Sequence, residues 1–201
     1  MQLVFEGIQG SGEVQLDVLK AICGDTKELS MIDLGCGEAP TTRRLGFKDR
    51  VYIDIVNRNL REEHENFFEF DILEFIKTDF PAKTDVTISC DNLEHFWEED
   101  GKSIIRWMQK NSNKQIIFTP EGRYMNVSDS TDNHPDTHKH SWTAEDFQKM
   151  GWATILFPNF HPTLGEGGLG AFFAFRCENL EEHFKWVKTW LINLIYYKYK
   201  K

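Results

Sequence analysis

The chain has no C-x-x-C pair. Its four cysteines, Cys23, Cys36, Cys90 and Cys177, are scattered, which argues against a zinc ribbon or a redox dithiol. No apolar run approaches the roughly 18 residues needed to span a bilayer. The opening MQLVFEGIQGSGE lacks the basic and apolar regions of a secretory signal. Basic residues are scarce: 23 Lys and Arg stand against 32 Asp and Glu, for a net charge of −9. Proteins that grip a nucleic-acid backbone neutralise its phosphates with Lys and Arg, so nucleic acid is the disfavoured partner. Internal repeats and low-complexity linkers are also missing. The expectation is a reduced, cytoplasmic protein.

What is present suits one globular domain. The 201 residues are 40% hydrophobic and 27% charged, enough to bury a core. Short runs rich in β-branched and aromatic residues recur: Leu29–Ile32, Val51–Ile55, Phe67–Phe70, Val86–Cys90, Gln115–Thr119, Trp152–Phe157 and Ala171–Phe175. They read as strands. Between them lie helix candidates at Glu13–Ile22, Glu98–Lys110, Thr143–Met150 and Leu180–Tyr197. Thr143 and Asp146 form a helix-start pair, with Gly151 as the stop. Strands alternating with helices predict an α/β fold: a Rossmann-like, doubly wound sheet of about seven strands, mostly parallel with the last antiparallel, and helices on both faces.

In such sheets ligands bind at the carboxyl ends of the strands. After the first run stand Asp33, Gly35, Cys36 and Gly37; after the second, Asp54 and Ile55; after the third, Asp71 and Ile72; after the fourth, Asp91 and Asn92. Gly35 and Gly37 let backbone turn tightly beside a ligand. Asp54 follows that turn by the spacing that suits an acceptor for ribose hydroxyls. A dinucleotide turn wants a third small residue where this chain has Pro40, and no Walker lysine follows. Acids without phosphate-binding features suit an adenosyl ligand carrying an amine and a sulfonium.

These residues resemble the class I S-adenosylmethionine-dependent methyltransferases, closest to the small stand-alone methyltransf-11/12/23 type. MIDLGCGEAP is similar to their first motif, YIDI to the strand bearing their ribose acid, and FEFDILEF to the adenine-contacting stretch. CDNLEHFWEEDGKSII is similar to the segment after the fourth strand, QIIFTPEG to the fifth strand, and HSWTAEDFQKMGW to a late helix and the strand after it. The resemblance covers roughly residues 29–176. It implies S-adenosyl-L-methionine as cofactor. Gly35, Cys36 and Gly37 would line its methionine end, Asp33 would attract the amino group, and Asp54, with Ile55 beside it, would hold the ribose. Asp71 and Ile72 would meet adenine, while Asp91 and Asn92 would lie near the sulfonium. It implies methyl transfer, and the expected acceptor is a small molecule, such as a sugar or a lipid-linked intermediate. A protein acceptor or a non-catalytic cofactor-binding protein is the alternative. The chain departs from the pattern at Pro40, which shortens the helix after the glycine turn.

Three features stay open. DNHPDTHKHSW, residues 132–142, puts His134, Asp136, His138 and His140 together. His138 and His140 are candidate general bases; a metal site and a purely structural loop compete, and the expectation is no metal. Glu94 and His95 read as the start of the Glu98 helix, with His95 a second-choice pocket residue. Residues 1–177 form the expected methyltransferase domain. Residues 178–201 form an amphipathic helix that packs on the body, or makes a homodimer or membrane-surface contact.

Overall fold

The computed structural model describes residues 1–56, 65–79, 83–122, 137–161 and 169–199. In chain order the elements are β1 (Gln2–Val4), α1 (Gly12–Cys23), β2 (Ser30–Leu34), β3 (Asp49–Asp54), β4 (Glu65–Glu69), α2 (Ile72–Phe75), β5 (Thr84–Cys90), α3 (Glu98–Asn111), β6 (Ser112–Pro120), α4 (Ala144–Lys149), β7 (Ala153–His161), β8 (Leu169–Cys177) and α5 (Leu180–Tyr199).

The strands form one sheet in the order β1-β7-β8-β6-β5-β2-β3-β4. Neighbours pair in parallel except β8, which runs antiparallel to both β6 and β7. The seven expected strands are all present. An eighth, β1, adds at the edge beside Thr154–Leu156; three residues are too few for a period-two pattern to show. The connections leave β2 in opposite directions, towards β3 on one side and β5 on the other. That is the switch point at which a crevice opens beyond the strand ends.

Burial explains why the central strands read as continuous apolar runs. Successive side chains alternate between two cores. Met31, Tyr52, Ile116 and Phe173 face α1 and α5. Ile32, Ile53, Ile117 and Phe172 face α3 and α4. Thr143 caps α4 with a reciprocal capping box to Asp146, and Gly151 takes φ 84° just past its end. Between Gly37 and β3 only a 3-10 turn, Thr42–Leu45, forms. Pro40 disfavours helix in the residue before it, and Ala39 there takes a left-handed φ of 48°. The helix expected in this segment is reduced to that turn.

α5 buries Phe184, Val187, Leu191 and Ile195 in the core shared with α1. Asp17 on α1 accepts from Lys198 Nζ at 2.7 Å and Tyr199 OH at 2.6 Å. Trp186, 48% exposed, lies on the opposite side with Ile192 and Tyr197. Among the described residues no helix is long and apolar enough to cross a membrane.

Leu191→Ala is expected to lower unfolding stability by about 2–5 kcal/mol, the range for emptying a packed core position. Trp186→Ala is expected to change it by less than about 1 kcal/mol. Denaturant unfolding of both variants checks this; equal effects would contradict the placement of α5.

Candidate active site

The site begins where β2 ends. Gly35 turns the chain with φ 69°, and the amides of Gly35 and Cys36 both donate to the Ile53 carbonyl, at 2.8 and 3.2 Å. A Cβ on Gly35 would stand 2.1 Å from the Asn92 side chain, so only glycine fits. Asn92 Nδ2 donates to Ser89 Oγ, which donates to the Leu34 carbonyl. The ends of β2 and β5 are thereby tied together. Gly37, at φ 54°, donates to Asp54 Oδ2 at 2.8 Å, and Val56 donates to Asp54 Oδ1 at 3.1 Å. Asp54 thus clamps the glycine turn to the end of β3.

A cavity of about 270 Å³ lies over this turn, lined by Asp33, Gly35, Cys36, Gly37, Thr42 and Asp91, with Gln15 of α1 opposite. Asp33 is 2% exposed. Its Oδ2 accepts from Thr42 Oγ1 at 2.6 Å, while Oδ1 is buried with no partner among the described residues. Burial raises its pKa to about 7, opposed by the Thr42 bond and assisted by the charge of Asp54. Asp91 takes a left-handed φ of 48°, held by its amide donating to the Phe118 carbonyl at 2.9 Å. Asp91 is exposed and lines the cavity, where neighbouring protein replaces part of the solvent around its carboxyl. That loss of solvation raises its pKa, opposed by a hydrogen bond from Gln15. Gln15 is itself fixed by Thr41 Oγ1 at 2.8 Å. Cys90 is pushed well up by burial, then by Asp33 and Asp91. Asp33 therefore gives the cavity a desolvated, acidic floor, and a positive charge entering beside it is attracted at short range.

Along the strand ends, the Phe70 amide donates to the Asp54 carbonyl at 2.9 Å, placing Asp71 next to Asp54. Asp71 Oδ1 caps α2 through the amides of Leu73 and Glu74, at 2.7 and 3.3 Å. Ile72 buries its side chain, and Ile55 is exposed. Of the residues expected to bind a ligand, Asp33, Gly35, Cys36, Gly37 and Asp91 line one cavity. Asn92 backs Gly35, and Asp54, Ile55, Asp71 and Ile72 continue along the sheet from it.

Glu94 and His95 do not open α3. They sit in a 3-10 turn, Leu93–His95, with Glu94 3% exposed and accepting from Thr119 Oγ1 at 2.9 Å. Burial raises the Glu94 pKa, and the neighbouring Asp91 charge adds to the effect. The amides of Lys139 and His140 donate to the Glu94 carbonyl at 2.8 and 3.2 Å, which lays the histidine segment over the end of β5. Trp142 Nε1 donates to the Leu93 carbonyl at 3.4 Å, and Gly101 leaves room beneath the indole. The two candidate bases part company. His138 packs edge-on against His95 at 4.9 Å between centroids, whereas His140 packs against Trp142 at 4.6 Å. His134 and Asp136 lie outside the described residues. Gln15, Thr42 and a site role for Glu94 escaped the sequence reading, which kept His95 only as a second-choice pocket residue. Gln15 carried only a helical position, whereas Glu94 and His95 sat in a motif whose acid was expected to serve the helix dipole.

No family model matches the chain, and no curated protein matches it. Among solved structures it is similar to the methyltransferase domain of bacterial CtHen1-CN, at 17% identity and TM-score 0.54 over 80% of this chain and 96% of that one. It is similar to magnesium protoporphyrin IX methyltransferase from Synechocystis PCC 6803 with bound SAH, at 14% identity and TM-score 0.53 over 82% and 84%. It is also similar to 1,6-didemethyltoxoflavin-N1-methyltransferase from Burkholderia thailandensis, at 14% identity and TM-score 0.55 over 82% and 77%. The chain has the class I methyltransferase fold. At these identities the likeness establishes the fold, with the cavity at its switch point.

Asp33 ionises near 3.8 when solvated and near 7 when folded. Between those values the folded chain holds the extra proton. Its contribution to stability is therefore complete below pH 4 and is lost as pH rises through 7. Asp33→Asn is expected to remove a decline on the order of a few kcal/mol from the ligand-free protein. Denaturant unfolding from pH 4 to 8 measures it, and a variant with the wild-type slope would contradict the assignment.

Proposed function

We propose that the cavity binds S-adenosyl-L-methionine and that the chain transfers the methyl group to a small-molecule acceptor. The observation that carries this reading is the buried Oδ1 of Asp33 beside the glycine turn, which has no partner among the described residues. A carboxylate oxygen held in that state calls for a donor from a ligand, and a cationic one suits a floor of raised-pKa acids. When bound, the cofactor supplies a methyl carbon activated by its sulfonium.

The chain's own residues then divide the work. Asp33 accepts from the ligand's amine, and Gly35 and Gly37 keep Cβ atoms out of its way. Asp54 spends two acceptor positions on the amides of Gly37 and Val56 and keeps capacity for ribose hydroxyls, since a carboxylate offers about four. Asp71 accepts from the adenine amine, with the Ile72 backbone beside it. Asp91 and Asn92 hold the end of β5 against the reacting centre. Alignment does most of the chemistry. On the acceptor side His138 takes the active role, because it faces His95 and the Glu94 turn; His140 packs the loop onto Trp142.

Two observations favour a small molecule. The net charge of −9 opposes a phosphate backbone. Two of the similar structures are methyltransferases of small molecules, magnesium protoporphyrin IX and 1,6-didemethyltoxoflavin.

Calorimetry with S-adenosylmethionine, S-adenosylhomocysteine and NAD tests the reading. The first two are expected to bind and NAD is not. Asp54→Ala should weaken binding by roughly 10- to 100-fold, the worth of charge-assisted hydrogen bonds. Binding of NAD alone would contradict the proposal, and cofactor binding without turnover across acceptor panels would favour a non-catalytic binding protein.

A further inference from the structure

We propose that Glu94, His95 and His138 form a binding site for a divalent transition-metal cation beside the cofactor cavity. One donor atom from each residue lies within 4.8 Å of the other two. Donors about 2.1 Å from a shared ion stand up to about 4 Å apart, so a small contraction of the side chains closes the site.

The surroundings orient these donors. His95 Nδ1 lies 3.4 Å from the Thr137 carbonyl. A carbonyl only accepts, so Nδ1 carries the proton, and in the neutral ring Nε2 keeps its lone pair. Ligating imidazoles are characteristically held in this way by their other nitrogen. The Glu94 carboxylate is steadied by Thr119 Oγ1 at 2.9 Å. The two segments that supply the donors are joined by the Lys139 and His140 amides on the Glu94 carbonyl. The cluster is therefore braced from β6 and from both loops.

Two imidazoles and one carboxylate suit Mn²⁺ through Zn²⁺ better than Mg²⁺ or Ca²⁺, which prefer oxygen donors throughout. Three protein donors leave coordination positions open. Asp91 sits close enough for its charge to act on Glu94, so the ion lies at the edge of the proposed methyl-transfer site. There an open position takes an oxygen of the acceptor. That role rests on the methyl-transfer reading, whereas the cation site does not.

Metal-free protein titrated with Co²⁺, followed by calorimetry and visible absorption, tests the site without cofactor or acceptor. One Co²⁺ per chain is expected to bind, with a d–d spectrum. His95→Ala and His138→Ala should each weaken it by at least roughly 100-fold, while His140→Ala retains it. Unchanged affinity for S-adenosylmethionine and an unchanged thermal midpoint would show that the variants are folded. If His95→Ala misfolds, His138→Ala in the loop decides alone. Absence of Co²⁺ binding to the wild type, or full binding by folded His138→Ala, would overturn the proposal. Co²⁺ binding in a protein that fails to bind S-adenosylmethionine would leave the site standing and remove the methyl-transfer reading.

Discussion

Two buried carboxyl groups, Asp33 and Glu94, sit at the carboxyl ends of β2 and β5 with too little water to solvate them as anions, and a third, Asp91, stands exposed beside them. Everything around the cavity answers to that constraint. Burial alone would favour the neutral forms, so each group is held by a donor: Thr42 for Asp33, Gln15 for Asp91, and Thr119 for Glu94. These donors come from the 3-10 turn after Pro40, from α1 and from β6. The acidic centre is thus assembled from elements distant in the chain, and one Asp33 oxygen has no partner among the described residues.

The fold makes this tolerable by fixing the surrounding backbone. The Ile53 carbonyl receives two amides of the glycine turn, Asp54 receives a third, and Asn92 fills the space that a side chain on residue 35 would need. Helix is kept away from the mouth of the cavity, because the segment after Gly37 closes in a short turn. On the far side of β5, the histidine segment lies on the Glu94 turn. In the proposed function one strand end, β5, serves both sides, contributing Asp91 towards the cofactor and Glu94 with His95 towards the acceptor.

Much of this was legible in the sequence, for identifiable reasons. Central strands buried on both faces must be apolar runs, so β2 through β8 could be read directly, and acids following those runs marked the ligand end of the sheet. The Thr143 capping box was visible because its chemistry is local. What was not legible depends on contacts between distant segments. β1 is only three residues long and exists through β7. Gln15 looked like any helical residue until Thr41 and Asp91 met it. Glu94 and His95 looked like the start of α3, and only the path of the loop brings His138 against them. The histidine-rich segment suggested a cluster within itself, whereas the structure joins one of its histidines to another loop.

Burial pushes the Asp33 carboxyl up to a pKa of about 7, so a positive ligand that settles against it favours its ionised form. Calorimetry of S-adenosylmethionine binding at pH 6, repeated in buffers of different ionisation enthalpy, counts the protons exchanged. Asp33, with its pKa near 7, is mostly protonated at that pH and must ionise to face a cation. Binding is expected to release protons, more for S-adenosylmethionine than for S-adenosylhomocysteine, which lacks the sulfonium charge, and less in Asp33→Asn. Proton uptake, or the same count for both ligands and for the variant, would contradict it.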